Sequence, residues 1–201
     1  MARVIGLTGS LSAGKTTVAS IFRKMGAQII DADQWTHALM APRGKCFKAV
    51  VREFGEDILV KGKIDRKKLG AIVFDDLKKL RKLEGIIHPV VRKMILETLK
   101  KLGKTKGIVI LSVPLFFEGG YKRYVDLTMV VTASRRQSIQ RACQCLRISK
   151  TEALRRIRRQ MPQREKIRLA DMIIDNNGTL QHTQKQVREI WEHIKNRESR
   201  N

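Results

Sequence analysis

The chain has 201 residues, and its 42 Lys and Arg against 19 Asp and Glu leave a formal charge of +23. A hydrophobic fraction of 42% is enough for one core and argues against disorder, whereas 5% aromatic residues are too few for a surface that binds nucleic acid mainly by base stacking. The charge predicts attraction to polyanions. Nucleic acid, an anionic membrane surface and phosphorylated small molecules all satisfy that prediction.

The sequence shows no export or membrane signal. The apolar run from Val4 to Leu7 is too short for a signal peptide, and the longest apolar runs are far below the ~20 residues of a membrane span. Cys46, Cys143 and Cys145 are odd in number and lack the paired spacing of a zinc site, so we interpret them as reduced thiols. These features predict a cytoplasmic protein.

The first elements in chain order form a βαβ pattern. Val4 to Leu7 is typical of a strand, and it is followed by a Gly/Ser loop and an amphipathic helix from Thr16 to Met25. Gly26 ends that helix, and Gln28 to Ile30 is interpreted as a second buried strand. The pattern predicts a βαβ unit.

A helical region separates this unit from the next strands. From Asp33 to about Leu102 strand signals are nearly absent, and we expect a long helical stretch from Asp76 to be interrupted at His88-Pro89. Strand signals return at Gly107 to Val113 and at Leu127 to Val131. Both runs are uniformly apolar, which predicts a parallel sheet covered by helices.

The last third of the chain is helical except for one strand. Arginine-rich helices are predicted over Ser134 to Leu146, Ser149 to Met161 and Gln163 to Ala170, in a surface-exposed segment. A strand over Met172 to Ile174 then precedes an amphipathic C-terminal helix with apolar positions Val187, Ile190, Trp191 and Ile194. The whole pattern predicts an α/β fold with a parallel sheet and a helical insertion between the second and third strands.

A phosphate-binding motif lies between the first strand and the first helix. Gly9 to Thr16, GSLSAGKT, matches G-x-x-x-x-G-K-[ST] in the context that this motif needs. Backbone N–H groups of Ser12 to Thr17 can surround a phosphate, Lys15 adds a positive charge, and the Thr16 hydroxyl is a ligand for Mg²⁺. A chance match is the alternative. The flanking strand and helix favour a protein that binds ATP or GTP.

The end of the predicted third strand helps to distinguish between classes of ATP- or GTP-binding proteins. No acidic residue ends that strand, and the first one to follow is Glu118. A hydrolytic motor with an acidic magnesium ligand at that point is therefore disfavoured. The small core, the helical insertion and the arginine-rich segment favour a kinase that closes over two small substrates.

Further motifs extend the pattern over nearly the whole chain: GLTGSLSAGKTTVA from Gly6, IIDAD from Ile29, KIDRKKL from Lys63, IIHPVV from Ile86, VPLFFE from Val113, and QMPQREKIRLADMIIDNNG from Gln160. In this order the chain resembles the dephospho-CoA kinases. The resemblance implies a three-layer P-loop kinase fold with a parallel β-sheet. It also implies ATP-dependent phosphorylation of the 3′-hydroxyl of the dephospho-CoA ribose with Mg²⁺, which yields CoA and ADP in the last step of CoA biosynthesis.

The resemblance also implies an organisation as one P-loop kinase domain over residues 1–201. Its core is expected at about 1–35, 103–140 and 169–201. A helical CoA-binding insertion is expected at about 36–102, and a helical lid at about 141–168.

The resemblance assigns the general base to Asp33, which would take the proton from the ribose 3′-hydroxyl. Asp31 is the alternative base, and each carboxylate is also a candidate cap for the following helix. Within the insertion, Arg66 and His88 are the expected substrate contacts. For His88 the alternative is a packed, hydrogen-bonded histidine, and for Arg66 it is a solvated surface charge.

In the lid, the resemblance gives Arg141 the task of stabilising charge on the transferred phosphoryl group. The family tends to carry an Arg-Asp pair where this chain has Cys145 and Leu146, so Arg147 is the candidate replacement. Gln160 fits the Q-x-P pattern of the lid. The expected ATP-binding residues are Ser12, Ala13, Gly14, Lys15, Thr16, Thr17 and Asn176, and the expected catalytic residues are Asp33, Lys15 and Arg141.

Two other functions compete with this interpretation. A different small-molecule P-loop kinase would use the same loop with another acceptor. A basic nucleic-acid-binding protein would explain the charge, but no recognition motif is present and the basic residues are spread along the chain. We therefore expect ATP and dephospho-CoA as partners, no specific nucleic acid, no membrane, and a monomer or small homo-oligomer.

Overall fold

The computed structural model describes residues 2–198. The chain divides into two compact units. The sheet unit combines the residues up to Ile30 with those from Gly103 onward, and the helical unit runs from Asp31 to Leu102.

The strands of the described chain are β1 (Arg3–Gly9), β2 (Gln28–Asp31), β3 (Leu59–Val60), β4 (Lys63–Ile64), β5 (Ile108–Ser112), β6 (Leu127–Thr132) and β7 (Met172–Asp175). The helices are α1 (Lys15–Lys24), α2 (Ala32–Leu39), α3 (Phe47–Phe54), α4 (Arg66–Asp75), α5 (Leu77–Leu102), α6 (Arg135–Leu146), α7 (Lys150–Arg158), α8 (Gln163–Leu169) and α9 (Leu180–Glu198). Over residues 2–198, none of these helices is long and apolar enough to cross a membrane.

The central sheet has five strands in the order β2-β5-β1-β6-β7. β1 pairs in parallel with both β5 and β6, and β6 pairs in parallel with β7. Every residue of β1 after Arg3 is buried, and so is every residue of β5. The uniformly apolar strands are therefore explained by a sheet without a wet face, and the predicted α/β class is confirmed.

The core of the sheet unit lies between the sheet and two helices. The rings of Phe22 in α1 and Trp191 in α9 pack at a tilt of 48° with their centroids 6.2 Å apart, and Val187 and Ile194 of α9 are fully buried. Burial of each such side chain contributes about 1.5–3 kcal/mol. The C-terminal helix thus buries the face that its apolar spacing predicted.

The helical unit differs from the expectation at Pro89. Helix α5 continues through Pro89, where an interruption was predicted. Proline removes one backbone hydrogen bond, but Ile87, Val91 and Ile95 on either side of it are buried on one face of the helix. This packing outweighs the lost bond, so the prediction of a break was wrong.

A small hairpin, β3–β4, was also missed in this unit. Its strands have two residues each, which is too short for an alternating pattern to show in the sequence. Lys61 and Gly62 both have positive φ values, 49° and 71°, as a tight hairpin turn requires. The Lys-Gly pair was the local signal for this turn.

The arginine-rich segment forms α6, α7 and α8, as predicted. Ser134 and Ser149 cap α6 and α7, because their hydroxyls accept the backbone N–H groups of Gln137 and Glu152 at 3.2 and 3.1 Å. All three cysteines are free thiols.

Candidate active site

The loop between β1 and α1 is shaped by close contacts with the rest of the sheet unit. We call Gly9 to Thr16 the phosphate loop. Gly14 has a φ of 104°, and a Cβ atom there would collide with the side chain of Asn176. A Cβ atom at Gly9 would collide with the backbone oxygen of Val131. Both glycines of the motif are thus required by backbone conformation or by space.

Lys15 lies across this loop. Its Nζ atom donates to the backbone oxygens of Gly9 and Ser10 at 2.9 and 3.3 Å. The loop itself therefore holds the ammonium group of Lys15, which is half-buried. The motif requires a positive charge at this position of the loop.

Asn176 connects the phosphate loop with Arg141 of α6, which lies in the segment predicted to be the lid and called the lid segment below. Its side-chain Nδ2 donates to the oxygen of Ala13 at 2.8 Å, and its Oδ1 accepts the hydroxyl of Thr183 at 2.8 Å. Its backbone oxygen accepts Nη2 of Arg141 at 3.1 Å. The other terminal nitrogen of Arg141, Nη1, is buried and has no hydrogen-bond partner. A buried cationic nitrogen without a partner calls for an explanation, and an anionic ligand is one.

A second connection runs from the phosphate loop to the lid segment through Gln160. The N–H of Leu11 donates to Oε1 of Gln160 at 2.9 Å. The neighbouring Met161 donates its N–H to Oε1 of Glu118 at 2.8 Å, and Lys166 Nζ lies 3.4 Å from the same oxygen. Burial lowers the pKa of Lys166, and the charge of Glu118 opposes that effect.

Glu118, the first acidic residue after β5, interacts with other groups of the protein. One of its oxygens already accepts a backbone N–H and faces a fully buried lysine. The structure therefore explains this acid as an anchor for the lid segment.

A cavity opens beside the phosphate loop, between α1 and α9. It has a volume of about 500 Å³. Thr16 and Thr17 line it at the loop, while Ile21, Met25 and Leu180 give it a mainly apolar wall. The lining is completed by the polar and basic side chains of Ser20, Lys24, Gln184 and Arg188. A cavity with an apolar wall and a few polar groups, next to a phosphate-binding loop, has the character of a nucleotide site.

The helical unit begins with the two acidic residues of the DAD motif. Asp31 caps α2, because its Oδ1 accepts the N–H groups of Asp33 and Gln34 at 3.0 and 3.3 Å. Asp33 lies in the first turn of the helix, and its side chain is exposed. The capping alternative thus applies to Asp31.

Charged groups surround His37, one turn after Asp33 on α2. Burial lowers the pKa of His37 and the charge of Arg66 lowers it further, whereas Asp33 and Asp31 act in the opposite direction. Arg66 is the first residue of α4. The fold of the helical unit therefore brings the charge of Arg66 near His37 of α2, which the sequence spacing could not show.

The comparisons with known proteins agree with this geometry. The family model for dephospho-CoA kinase matches residues 3–182. The chain belongs to the dephospho-CoA kinase family. This family catalyses the final ATP-dependent step of CoA biosynthesis, and the resemblance seen in the motifs is confirmed.

Relatives and solved structures cover almost the whole chain. It is 42% identical to the dephospho-CoA kinase of Symbiobacterium thermophilum, over 94% of this chain and 80% of the relative, and 41% identical to that of Carboxydothermus hydrogenoformans, over 92% and 90%. The crystal structure of TT1252 from Thermus thermophilus has a TM-score of 0.78 at 31% identity, with 96% of this chain and 97% of that chain covered.

Two more solved structures define the fold. The dephospho-CoA kinase of Campylobacter jejuni has a TM-score of 0.71 at 29% identity, with 96% of this chain and 98% of that chain covered. A shikimate kinase from Bacteroides thetaiotaomicron has a TM-score of 0.52 at 16% identity, with the same coverage, and this likeness shows the fold alone. The predicted P-loop kinase fold is confirmed.

The remaining residues that the family resemblance singled out, in α5 and at the end of α6, are exposed. Arg147 caps the C-terminus of α6 in a left-handed conformation with φ 53° and is exposed, as is Cys145. His88 is exposed on α5, so the alternative of a packed histidine was wrong. The roles of Arg147 and His88 stay predictions.

The residues around the loop fit a magnesium ion that is bound mostly by substrate. Over residues 2–198, no group of three or more His, Cys, Asp or Glu could hold a metal by itself. Mg²⁺ keeps several waters and takes one or two protein ligands together with phosphate oxygens, so such a group is not needed. Thr16, exposed at the cavity beside the loop, has the oxygen that this mode of binding uses.

Sequence reasoning missed Thr183, Lys166 and His37. Thr183 and Lys166 are fully buried, although their residue types are usually exposed. Thr183 has no local signal, and Lys166 lies within the motif that begins at Gln160, although the motif does not indicate that it is buried. His37 had a signal, because it lies four residues after Asp33 on a predicted helix.

Proposed function

We propose that this chain transfers the γ-phosphoryl group of ATP to the 3′-hydroxyl of dephospho-CoA, with Lys15, Asp33 and Arg141 as its main functional groups. One observation carries the ATP half of the proposal. The loop that holds Lys15 is joined through Asn176 to Arg141, whose Nη1 is buried without a partner. Lys15 and Arg141 are thus two cationic groups joined through the loop and Asn176, and they could stabilise the negative charge that develops during phosphoryl transfer.

ATP would bind through its phosphates to the loop. The N–H groups from Ser12 to Thr17 and the N-terminus of α1 would surround the phosphates, and Lys15 would exchange its bonds to loop carbonyls for bonds to phosphate oxygens. The adenosine would enter the cavity beside Thr17 and Leu180. Because the side chain of Asn176 is committed to Ala13 and Thr183, Asn176 would support this site through its backbone position.

Mg²⁺ is the expected metal, held by the Thr16 hydroxyl and by ATP. It would neutralise phosphate charge and orient the transferred group. All other steps belong to the residues of the chain.

Asp33 is our candidate for the general base. Asp31 accepts the N–H of Asp33 and so fixes the first turn of α2, in which Asp33 presents an exposed carboxylate. A carboxylate in this position can accept the proton of a hydroxyl group that attacks phosphorus. Its position in the first turn of α2 suits a carboxylate, because the helix dipole favours negative charge there.

Arg66 and His88 are the candidate contacts for the acceptor. Dephospho-CoA carries a pyrophosphate, and the guanidinium of Arg66 can bind such a group through two hydrogen bonds. The effect of Arg66 on the pKa of His37 supports this candidate, because it indicates that the charge of Arg66 lies near that side chain of α2. We also infer a cytoplasmic location, since three free thiols suit a reducing compartment.

A panel of acceptors tests the proposal. ADP release is measured with ATP, Mg²⁺ and, in turn, dephospho-CoA, its 3′-deoxy analogue, adenylate and shikimate. We expect turnover with dephospho-CoA alone. Turnover of adenylate or shikimate without turnover of dephospho-CoA would overturn the proposal, and turnover of the 3′-deoxy analogue would overturn the assignment of the acceptor hydroxyl.

A further inference from the structure

Asn176 is a buried junction of four elements. Besides its bonds to Ala13, Thr183 and Arg141, its N–H donates to the oxygen of Thr132 at 2.9 Å. Both Asn176 and Thr183 are buried, with exposures of 8% and 0%. Such a network of buried polar groups is costly unless each group is satisfied, so it fixes one arrangement.

This junction controls the direction of one peptide group in the phosphate loop. The Ala13 oxygen points at Nδ2 of Asn176. In a trans peptide the oxygen and the N–H of the next residue point in opposite directions, so this bond turns the Gly14 N–H away from Asn176. The contact that a Cβ atom at Gly14 would make with the Asn176 amide shows how closely the two groups are packed.

Thr183 fixes the orientation of the amide. Its hydroxyl donates to Oδ1 at 2.8 Å, and the other contact of the same hydroxyl, with the Thr179 oxygen, is longer at 3.4 Å. Without the hydroxyl, Oδ1 would be a buried acceptor with no donor, and rotation of the amide would weaken its bond to Ala13.

We propose that Thr183, acting through the side chain of Asn176, is a positioning residue that sets the phosphate loop for ATP. The inference rests on the proposed use of this loop by ATP. Thr183 lies on α9, outside every motif that identifies the family in this sequence. Its substitution should change the affinity for ATP and leave the acceptor unaffected.

Binding of MgATP, measured by calorimetry without an acceptor, tests the inference on the full chain. Thr183→Val keeps the shape of the side chain and removes the hydroxyl. We expect the Kd for MgATP to rise about tenfold, since one lost hydrogen bond in a buried site has this size. Thr183→Ser should restore the Kd to within about twofold, and the KM for dephospho-CoA should stay within about twofold in both variants.

Thr128→Val is the matched control. Thr128 is also buried, and its hydroxyl contacts Asp171 at 2.6 Å, but it lies near the start of β6, away from the strand ends that carry the phosphate loop. The Thr128→Val substitution should lower the melting temperature without changing the Kd for MgATP. If Thr183→Val lowers the melting temperature as much as Thr128→Val and leaves the Kd unchanged, Thr183 is only structural and the inference is wrong.

A replacement variant covers the case in which Thr183→Val does not fold, and the absence of an acceptor separates this inference from the proposed function. If Thr183→Val does not fold, Thr183→Cys replaces it, because a thiol is a weaker donor of similar size, and an unchanged Kd in that variant also overturns the inference. Since no acceptor is present in the binding experiment, a chain that binds MgATP but fails to phosphorylate dephospho-CoA would contradict the proposed function and leave this inference standing.

Discussion

The phosphate loop and the start of the helical unit hold their functional groups in different ways. In the loop, Lys15 already donates to loop carbonyls, and Leu11 and Ala13 bond to Gln160 and Asn176. At the start of the helical unit, Asp31 is committed to a helix cap, while Asp33 is exposed. Bonds to other parts of the sheet unit thus hold the backbone of the phosphate loop, whereas the exposed carboxylate of Asp33 is positioned by the backbone of α2.

This difference predicts which measurements each substitution will change. Substitutions around the phosphate loop should change ATP binding and local order together, because the same groups serve both. Substitutions of exposed groups in the helical unit should change turnover with little effect on folding.

The largest effect is expected at Lys15. Lys15→Ala removes the charge nearest the phosphates, and kcat/KM for ATP should fall by about 10³ or more, the upper range for the loss of one electrostatic contact in a transition state. The measurement is steady-state kinetics with varied ATP. Lys185→Ala removes an equal charge from an exposed position on α9 and should leave kcat/KM within about twofold. Equal losses in the two variants would mean that Lys15 acts only through net charge.

The next effect concerns the acceptor side. Asp33→Asn should lower kcat by roughly 10² or more, the usual contribution of a general base, with the Kd for ATP unchanged. Asp31→Asn is the control, because it removes a charge two residues away and keeps an oxygen that can cap α2. It should lower kcat by less than about threefold. A normal kcat in Asp33→Asn with a loss in Asp31→Asn would assign the base to Asp31.

Local patterns in the sequence were enough for the loop, the strands and most helices. The GSLSAGKT run and the uniformly apolar strands each report on a few neighbouring residues, and the structure has a loop and parallel strands there. Pro89 shows the limit of this reasoning. Its local effect is to break a helix, but the burial of Ile87, Val91 and Ile95 decides otherwise.

The connections around the site could not be predicted in the same way. The bond between Leu11 and Gln160 spans 149 positions of the sequence, and the one between Ala13 and Asn176 spans 163. Such contacts depend on how strands and helices are stacked, which periodicity does not report. Lys166 lies within the motif that begins at Gln160, but nothing in that motif shows that its side chain is completely buried.

The pair of Glu118 and Lys166 predicts a smaller, structural effect on the nucleotide side. Glu118→Gln keeps an acceptor for the N–H of Met161 but leaves Lys166 buried without a counter-charge. The free energy of unfolding should fall by about 2–3 kcal/mol, somewhat less than for a fully buried pair because Glu118 is partly exposed. Adding Lys166→Met should recover part of the loss, as a denaturation cycle of the single and double variants can measure.

The pH dependence of this variant has a defined sign. Burial holds the pKa of Lys166 below its usual value, so between the two values the unfolded chain binds more protons than the folded chain. Stability therefore rises with pH in that window. In Glu118→Gln the effect should be larger, because the opposing charge is gone. The gap in stability between this variant and the unsubstituted protein should narrow as pH rises from 7 toward 10, and a constant gap would mean that Lys166 is not charged when buried.

The smallest effect is expected at Asp171, at the start of β7. The hydroxyl and N–H of Thr128 donate to its Oδ2 at 2.6 and 2.7 Å, and these bonds lower the pKa of Asp171. A lowered pKa gives stability that is present above the usual value near 4 and is lost as pH falls through the folded value. Asp171→Asn should therefore lower the free energy of unfolding by about 1 kcal/mol at pH 7, a modest amount because Asp171 is exposed, with kcat unchanged. Below about pH 4 the difference from the unsubstituted protein should shrink. A difference that stays constant down to pH 3, in melting temperatures measured at each pH, would show that the contact with Thr128 does not depend on the charge of Asp171.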